Sequence, residues 1–179
     1  MDLQVRRFPN NGVMNQLYDS IPADSLEVMA YAGLFCQDFI LQEETFELLV
    51  YLPENIRHDC NSVLVLIPDN QERVKFLNDS GWFDLADKEK IALFGLSSPN
   101  GWETDPIKSL RLAQRVRDLV VERTYYNVGK TRRYVVAYGN AAATGERLIL
   151  TSPNAISGLA IIGENGCDEN ELASLGEAP

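Results

Sequence analysis

The run Tyr134-Val135-Val136-Ala137-Tyr138, stopped by Gly139 and followed by a small-residue segment that turns helical from Ala141 to Leu150, constrains this chain more than any other stretch. Aromatic and β-branched residues without a charge are the composition of a strand covered on both faces, and such strands belong to parallel sheets. A parallel strand cannot return through a two-residue turn. It needs a crossover, and a helix is the usual one. The Gly139-Asn140-Ala141-Ala142-Ala143 turn therefore marks where a buried strand hands over sharply to a helix.

The rest of the chain repeats that grammar. Residues 1–25, with Pro9, Asn10, Asn11, Gly12 and Pro22, read as an irregular lead-in. Residues 26–165 read as one α/β core, and 166–179 as an acidic tail. Leu26 to Tyr31, Asp38 to Leu41 and Phe46 to Leu52 have strand character, and Gln42-Glu43-Glu44-Thr45 suits a hairpin turn between the last two. Pro53 stops the run, since it lacks the N–H a ladder needs. Then come an apolar strand (Ser62 to Ile67), short helices over Glu72 to Leu77 and Phe83 to Lys88, and a further strand (Ile91 to Leu96). Thr104-Asp105-Pro106 opens the clearest helix, with an N-cap residue followed by proline in the first turn. Ile107, Leu110, Ala113, Val116 and Val120 recur along it at helical spacing. Ser157 to Gly163 is the last strand. Strands alternating with helices predict a mostly parallel sheet with helices on both faces, and antiparallel strands at the N-terminal side.

Composition removes several function classes. The formal charge of −10 disfavours nucleic acid, whose phosphates call for clustered Lys and Arg. No stretch approaches the roughly 18 apolar residues of a membrane span, and no apolar segment follows the basic Arg6-Arg7 pair, so neither a membrane nor a signal peptide is expected and a cytoplasmic location is the default. Cys36, Cys60 and Cys167 show no CxxC spacing, and His58 is the one histidine, so no metal is expected. Gly163-Glu164-Asn165-Gly166 is not a dinucleotide fingerprint, and no glycine-rich loop precedes a Lys-Ser/Thr pair, so no cofactor is expected. Asp69 follows an apolar strand as a phosphoacceptor would, but Asn70 and the Tyr138-Gly139 end supply neither the second acid nor the lysine that role wants.

Taken in order, Phe46 to Pro53, Ser62 to Ile67, Ser80-Gly81-Trp82 with Leu85-Ala86-Asp87, Gly101-Trp102, Tyr126-Asn127-Val128 with Arg132 to Val136, and Ser152-Pro153 with Ile156 to Gly163 resemble the esterase-type α/β-hydrolases related to polyhydroxybutyrate depolymerases and feruloyl esterases. The resemblance covers roughly residues 40–165 and implies an α/β-hydrolase-like sheet, incomplete at its C-terminal side. In that family a strand–turn–helix elbow, Gly-x-Ser-x-Gly, projects the catalytic serine. The matching turn here is Gly139 to Ala143, which puts Ala141 at the position of the hydroxyl. Alanine cannot form an acyl-enzyme. The family's His-Gly pair at the oxyanion loop is replaced by Pro68-Asp69, followed by Asn70; proline offers no N–H and a carboxylate repels a developing oxyanion. The family's catalytic acid and histidine follow later strands that this sequence does not contain, and His58 precedes the Ser62 strand, on the wrong edge of a parallel sheet.

The resemblance with these departures implies an inert, esterase-like domain acting in binding or assembly. The alternative is the N-terminal part of a carboxylester hydrolase, completed by another chain or carrying a Ser-to-Ala change at position 141. A change at 141 alone would not explain Pro68-Asp69. Ser97, Ser98 and Ser152 lie in loops near proline, as turn serines do, and make poor substitutes for the nucleophile. A sheet ending with the Leu159 strand leaves an open edge. The expected cover is a second polypeptide, a C-terminal half or a second copy; an altered strand order, with the N-terminal strands or the lead-in on that edge, is the other way to cover it. If a pocket persists above the strand ends, Trp82, Trp102, Tyr138 and Asn140 are the candidates to line it, for a small ester-like or aromatic ligand. Core packing is the competing role for both tryptophans.

Overall fold

A computed structural model describes residues 6–8, 32–56, 59–122, 126 and 128–163. Among these residues seven strands form one sheet: β1 (Arg6–Phe8), β2 (Gly33–Leu41), β3 (Glu44–Leu52), β4 (Cys60–Leu66), β5 (Ala92–Leu96), β6 (Val128–Tyr138) and β7 (Gly158–Ile162). Among the same residues four α-helices lie between β4 and β7: α1 (Arg73–Asp79), α2 (Trp82–Glu89), α3 (Pro106–Glu122) and α4 (Ala142–Thr151). The spatial order is β1-β2-β3-β5-β4-β6-β7. β4 runs parallel to β5 and β6, and β6 parallel to β7, whereas β3 is antiparallel to both β2 and β5. The expected mixed sheet, parallel with an antiparallel N-terminal side, is what forms.

Burial explains the order. In β4, Ser62 to Leu66 are all buried, so this strand needs cover on both faces and takes the middle. One face packs Leu64, Leu66, Phe94, Val135 and Ala137 against the α3 and α4 residues Leu112, Val116 and Leu148. The other packs Val63, Val65, Ile67 and Leu93 against Leu77 of α1 and Phe83 and Ala86 of α2. The β2–β3 hairpin turns on Gln42 and Glu43, both left-handed (φ 51° and 67°), which is the two-residue geometry that matches strand twist. Glu44 and Thr45, expected in the turn, belong to β3.

Caps account for the helix starts. The Glu72 carboxylate accepts the Val74 and Lys75 N–H groups at 3.0 and 2.6 Å, and Asp105 accepts the Lys108 N–H at 2.9 Å with Pro106 as the first helical residue. The inward face of α3 is Ser109, Leu112, Ala113, Val116, Leu119 and Val120. Ile107, expected on that stripe, is exposed: nine residues before Val116, it falls on the opposite side of a helix with 3.6 residues per turn.

Three elements differ from expectation. The lead-in contributes β1, which pairs parallel with β2 at the edge opposite β7. β6 begins at Val128, six residues before the apolar run. Its first half is polar, and a left-handed Arg132 and a register shift opposite Cys60–Ser62 interrupt it. β2 starts at Gly33 and includes a buried Gln37. The strand expected at Leu26 to Tyr31, the histidine His58 and the tail lie outside the described residues.

Helix α4 lies unusually close to β6. A Cβ on Gly145 would sit 2.8 Å from Ala137 Cβ and 3.2 Å from Leu159 Cδ1. Gly145→Val is therefore expected to cost on the order of 3 kcal/mol by overpacking, read as a lower denaturation midpoint at unchanged m-value. Burial, with the Asp59 carboxylate adding to it, pushes the Cys60 thiol up to about 11 from 9.0. The fold thus favours the neutral thiol. That contribution is whole below pH 9.0 and is lost as pH rises through about 11, up to about 3 kcal/mol. Denaturation curves at pH 8 and pH 11 should differ more for the parent chain than for Cys60→Ala.

Candidate functional site

The C-terminal ends of β4, β5 and β6 converge on one small polar cluster. After β4 the chain runs through Ile67, Pro68 and Asp69 to a left-handed Asn70 (φ 61°). After β5 it loops through Ser97 to Trp102, and after β6 it makes a 3-10 turn, Gly139–Ala141, into α4. Asn140 and Asp69 join the first and third of these. The Asp69 N–H donates to Asn140 Oδ1 at 3.1 Å, and Asn140 Nδ2 donates back to the Asp69 carboxylate. The same carboxylate accepts the Trp102 N–H at 3.3 Å, which brings in the β5 loop. Trp102 Nε1 donates to the Ile67 carbonyl at 2.6 Å. A Cβ on left-handed Gly101 (φ 88°) would stand 3.0 Å from Asp69 Oδ2, so this loop fits the carboxylate through a glycine.

The turn itself differs from the sequence expectation in one respect. Ala141, read as the tip, has helical backbone (φ −80°, ψ −9°) and is fully buried, as is Ala142. The left-handed residue at the strand end is Gly139 (φ 52°), two positions earlier, and its Cβ position would be 3.4 Å from Pro68 Cβ. Two residues to either side of Gly139 stand Ala137 and Ala141, both with no exposed surface. Close packing of α4 on β6 and β4 requires small side chains at both, and that compact packing gives the turn its sharpness. Ala143 is partly exposed on α4.

The three aromatic residues expected to line a pocket with Asn140 are divided between the two faces of the sheet. Trp102 is 1 % exposed and belongs to the core beneath α3. Trp82 and Tyr138 pack on the opposite face, where Trp82 Nε1 donates to Tyr138 Oη at 3.1 Å and Phe76 meets the Tyr138 ring edge-on at 4.9 Å. Only Asn140 stays at the strand ends, and it is occupied by Asp69.

A cleft of about 540 Å³ does open nearby, between the β5 loop, the start of β3 and the first turn of α3; Phe46, Asn100, Gly101, Asp105, Lys108 and Ser109 contribute to it. Lys108 is held there by Glu44 at 2.8 and 2.9 Å and lies 5.7 Å from the centre of the Phe46 ring. Sequence reading missed this cleft. The loop's Ser, Pro, Asn and Gly were legible as a turn, but nothing in them signals that β3, distant in sequence, forms the opposite wall. Among the described residues, no group of three or more His, Cys, Asp or Glu is placed to hold a metal ion. None of the described helices is long and apolar enough to cross a membrane.

No family model matches the chain, and no curated protein is similar to it in sequence. Solved structures are similar in fold. A carboxyl esterase from Bacillus coagulans superposes with a TM-score of 0.59 at 14% identity, over 81% of this chain and 48% of its own. An S-formylglutathione hydrolase from Agrobacterium tumefaciens gives 0.57 at 11% identity, over 72% and 56%. The poly(3-hydroxybutyrate) depolymerase LpqC from Bordetella parapertussis gives 0.56 at 17% identity, over 73% and 51%. The chain spans about half the length of these hydrolases. Its strand order, its crossovers and these superpositions together show an α/β fold of the α/β-hydrolase type.

Proposed function

We propose that this chain is an esterase-like α/β-hydrolase domain without hydrolytic activity of its own, acting by binding or assembly. The observation that carries this reading is the reciprocal Asp69–Asn140 pair at the converging strand ends. In an esterase elbow the residue with the strained, left-handed backbone bears the nucleophile, and the N–H after it joins an N–H of the loop matching Ile67 to Asn70 to hold the oxyanion. On that correspondence Gly139, not Ala141, stands for the nucleophile, and it has no side chain. Pro68 has no N–H, and the next N–H in the loop, on Asp69, is already donated to Asn140. The Asp69 carboxylate puts negative charge where an oxyanion would develop. A tetrahedral intermediate would have neither its attacking group nor its donors.

A second reading has one observation in its favour. Carboxylester hydrolases similar in fold are about twice as long, so a further chain or segment could contribute a catalytic acid and base to a hydrolase of which this is one part. That reading still requires a nucleophile at or near Gly139.

The two readings separate on p-nitrophenyl acetate turnover. The inert reading expects no hydrolysis above background from the parent chain, from Gly139→Ser or from Ala141→Ser. Turnover by the parent chain, or its appearance in Gly139→Ser once a partner is added, would overturn it. Asn140→Ala tests the polar pair separately. It strands the Asp69 N–H and removes a donor from the carboxylate, which should lower stability by about 1–2 kcal/mol in chemical denaturation without creating esterase activity.

A further inference from the structure

We propose that the cleft between the β5 loop, the start of β3 and the first turn of α3 binds a neutral polyol, a compact carbon ring carrying several hydroxyls, as in a sugar unit. The proposal goes beyond the inert reading and does not depend on it, since neither Asp69 nor Asn140 lines this cleft.

Ser109 carries the inference. It is 3% exposed, it lines the cleft, and its hydroxyl has no hydrogen-bond partner among the described residues. A hydroxyl inside a helix commonly returns to a carbonyl one turn back, as Thr151 does with Arg147 at 2.7 Å. The corresponding carbonyl for Ser109, that of Asp105, takes the Ser109 N–H at 2.9 Å and not the hydroxyl. The Ser97 and Thr144 hydroxyls also lack partners, but they are sealed inside the protein. Ser109 differs from them in opening on a cleft. A half-buried hydroxyl without a partner forgoes a hydrogen bond unless something in the cleft supplies it.

The groups around Ser109 match it in kind. The Thr104 hydroxyl stands 3.2 Å from the position a Cβ on Gly101 would take, so the glycine lets it close on the β5 loop. Neither that hydroxyl nor the carboxamide of the exposed Asn100 has a hydrogen-bond partner among the described residues. Asp105 uses Oδ1 to cap α3, which leaves Oδ2 as an acceptor. Lys108 gives N–H groups to both oxygens of Glu44 and keeps a third donor.

Charge selects a neutral ligand. An anion would have to take Lys108 from Glu44, and it would then face the Asp105 carboxylate at the cap. A cation would meet the Lys108 ammonium, which already stands 5.7 Å from the centre of the Phe46 ring. A hydroxyl carries no charge and both donates and accepts, so it suits Ser109, Thr104 and Asn100 alike. The carbon ring of the ligand would rest on the apolar part of the wall, Phe46, Pro99 and Leu112. The volume of about 540 Å³ lies within the range of small-molecule sites, roughly 300–1,000 Å³.

Amide chemical shifts of the full chain, followed while D-glucose, D-galactose or myo-inositol is added, test the proposal. At least one of the three should give saturable shifts at Asn100, Gly101, Thr104, Lys108 and Ser109, with a millimolar dissociation constant. Sodium acetate and methylammonium chloride should move none of them. Ser109→Ala should weaken binding about 3- to 10-fold. It should leave the denaturation midpoint unchanged, because the hydroxyl it removes has no partner in the fold. Asn100→Ala, at an exposed loop position, should weaken binding by a similar factor and keeps the test open if Ser109→Ala misfolds. Maltotriose binding more tightly than D-glucose would assign the cleft to the end of a sugar chain, and equal affinity to a free sugar. No saturation by any of these polyols, saturation by acetate or methylammonium in their place, or affinity untouched by both substitutions would each overturn the proposal. Hydrolysis of p-nitrophenyl acetate bears on the inert reading alone.

Discussion

The close approach of α4 to β6 governs the geometry at the functional end of this fold. Gly145 leaves no room for a side chain against Ala137, so the helix backbone packs directly on the Ala137 methyl group. A helix that close to the strand it follows can be reached only through an abrupt turn. Gly139 supplies the left-handed backbone for that turn, and the small, buried Ala141 and Ala142 supply the start of the helix. The position of Asn140 follows from this turn. Through its carboxamide so does the position of Asp69, and through the Asp69 carboxylate that of Trp102. Three loops far apart in sequence are therefore set by one packing constraint.

At the converging strand ends, Asn140 and Asp69 satisfy each other's hydrogen-bonding groups, and Trp102 adds an N–H to the carboxylate. These polar groups stitch three loops together. Satisfied polar clusters of this kind resist opening, because any group pulled away is left half-buried and without its partner. A cleft opens to one side, against Phe46 and Lys108.

How much could be read beforehand depends on how local the cause is. β3, β4 and β5 were legible as apolar runs, and α3 as a capped helix, because burial and capping leave marks on consecutive residues. β6 was legible only in its second half. Pairing with β4 jumps from Val128 to Arg133 across a polar, irregular stretch, and a left-handed Arg132 breaks the alternation a reader would look for. That Gly139 takes the left-handed backbone of the following turn was not legible, for a related reason. Gly139-Asn140-Ala141-Ala142-Ala143 fits a five-residue motif as written, yet which residue takes the left-handed backbone depends on where the strand stops pairing with β4 and β7. Trp82 and Tyr138 were grouped with Trp102 because all are aromatic and near strand ends; the face each side chain takes is decided by the sheet.

The sequence by itself determined the class of fold, since unbroken apolar strands separated by helices have no stable arrangement other than a parallel sheet covered on both sides. It also determined that no serine stands between Tyr138 and Leu150. Tertiary structure alone decided that Gly139 takes the left-handed backbone, that Asn140 closes on Asp69, and that β7 lies at the end of the sheet among the described residues. Each of these depends on residues tens of positions apart meeting at a fixed register, and register is a property of the assembled sheet, fixed by which faces are buried and not by any one segment.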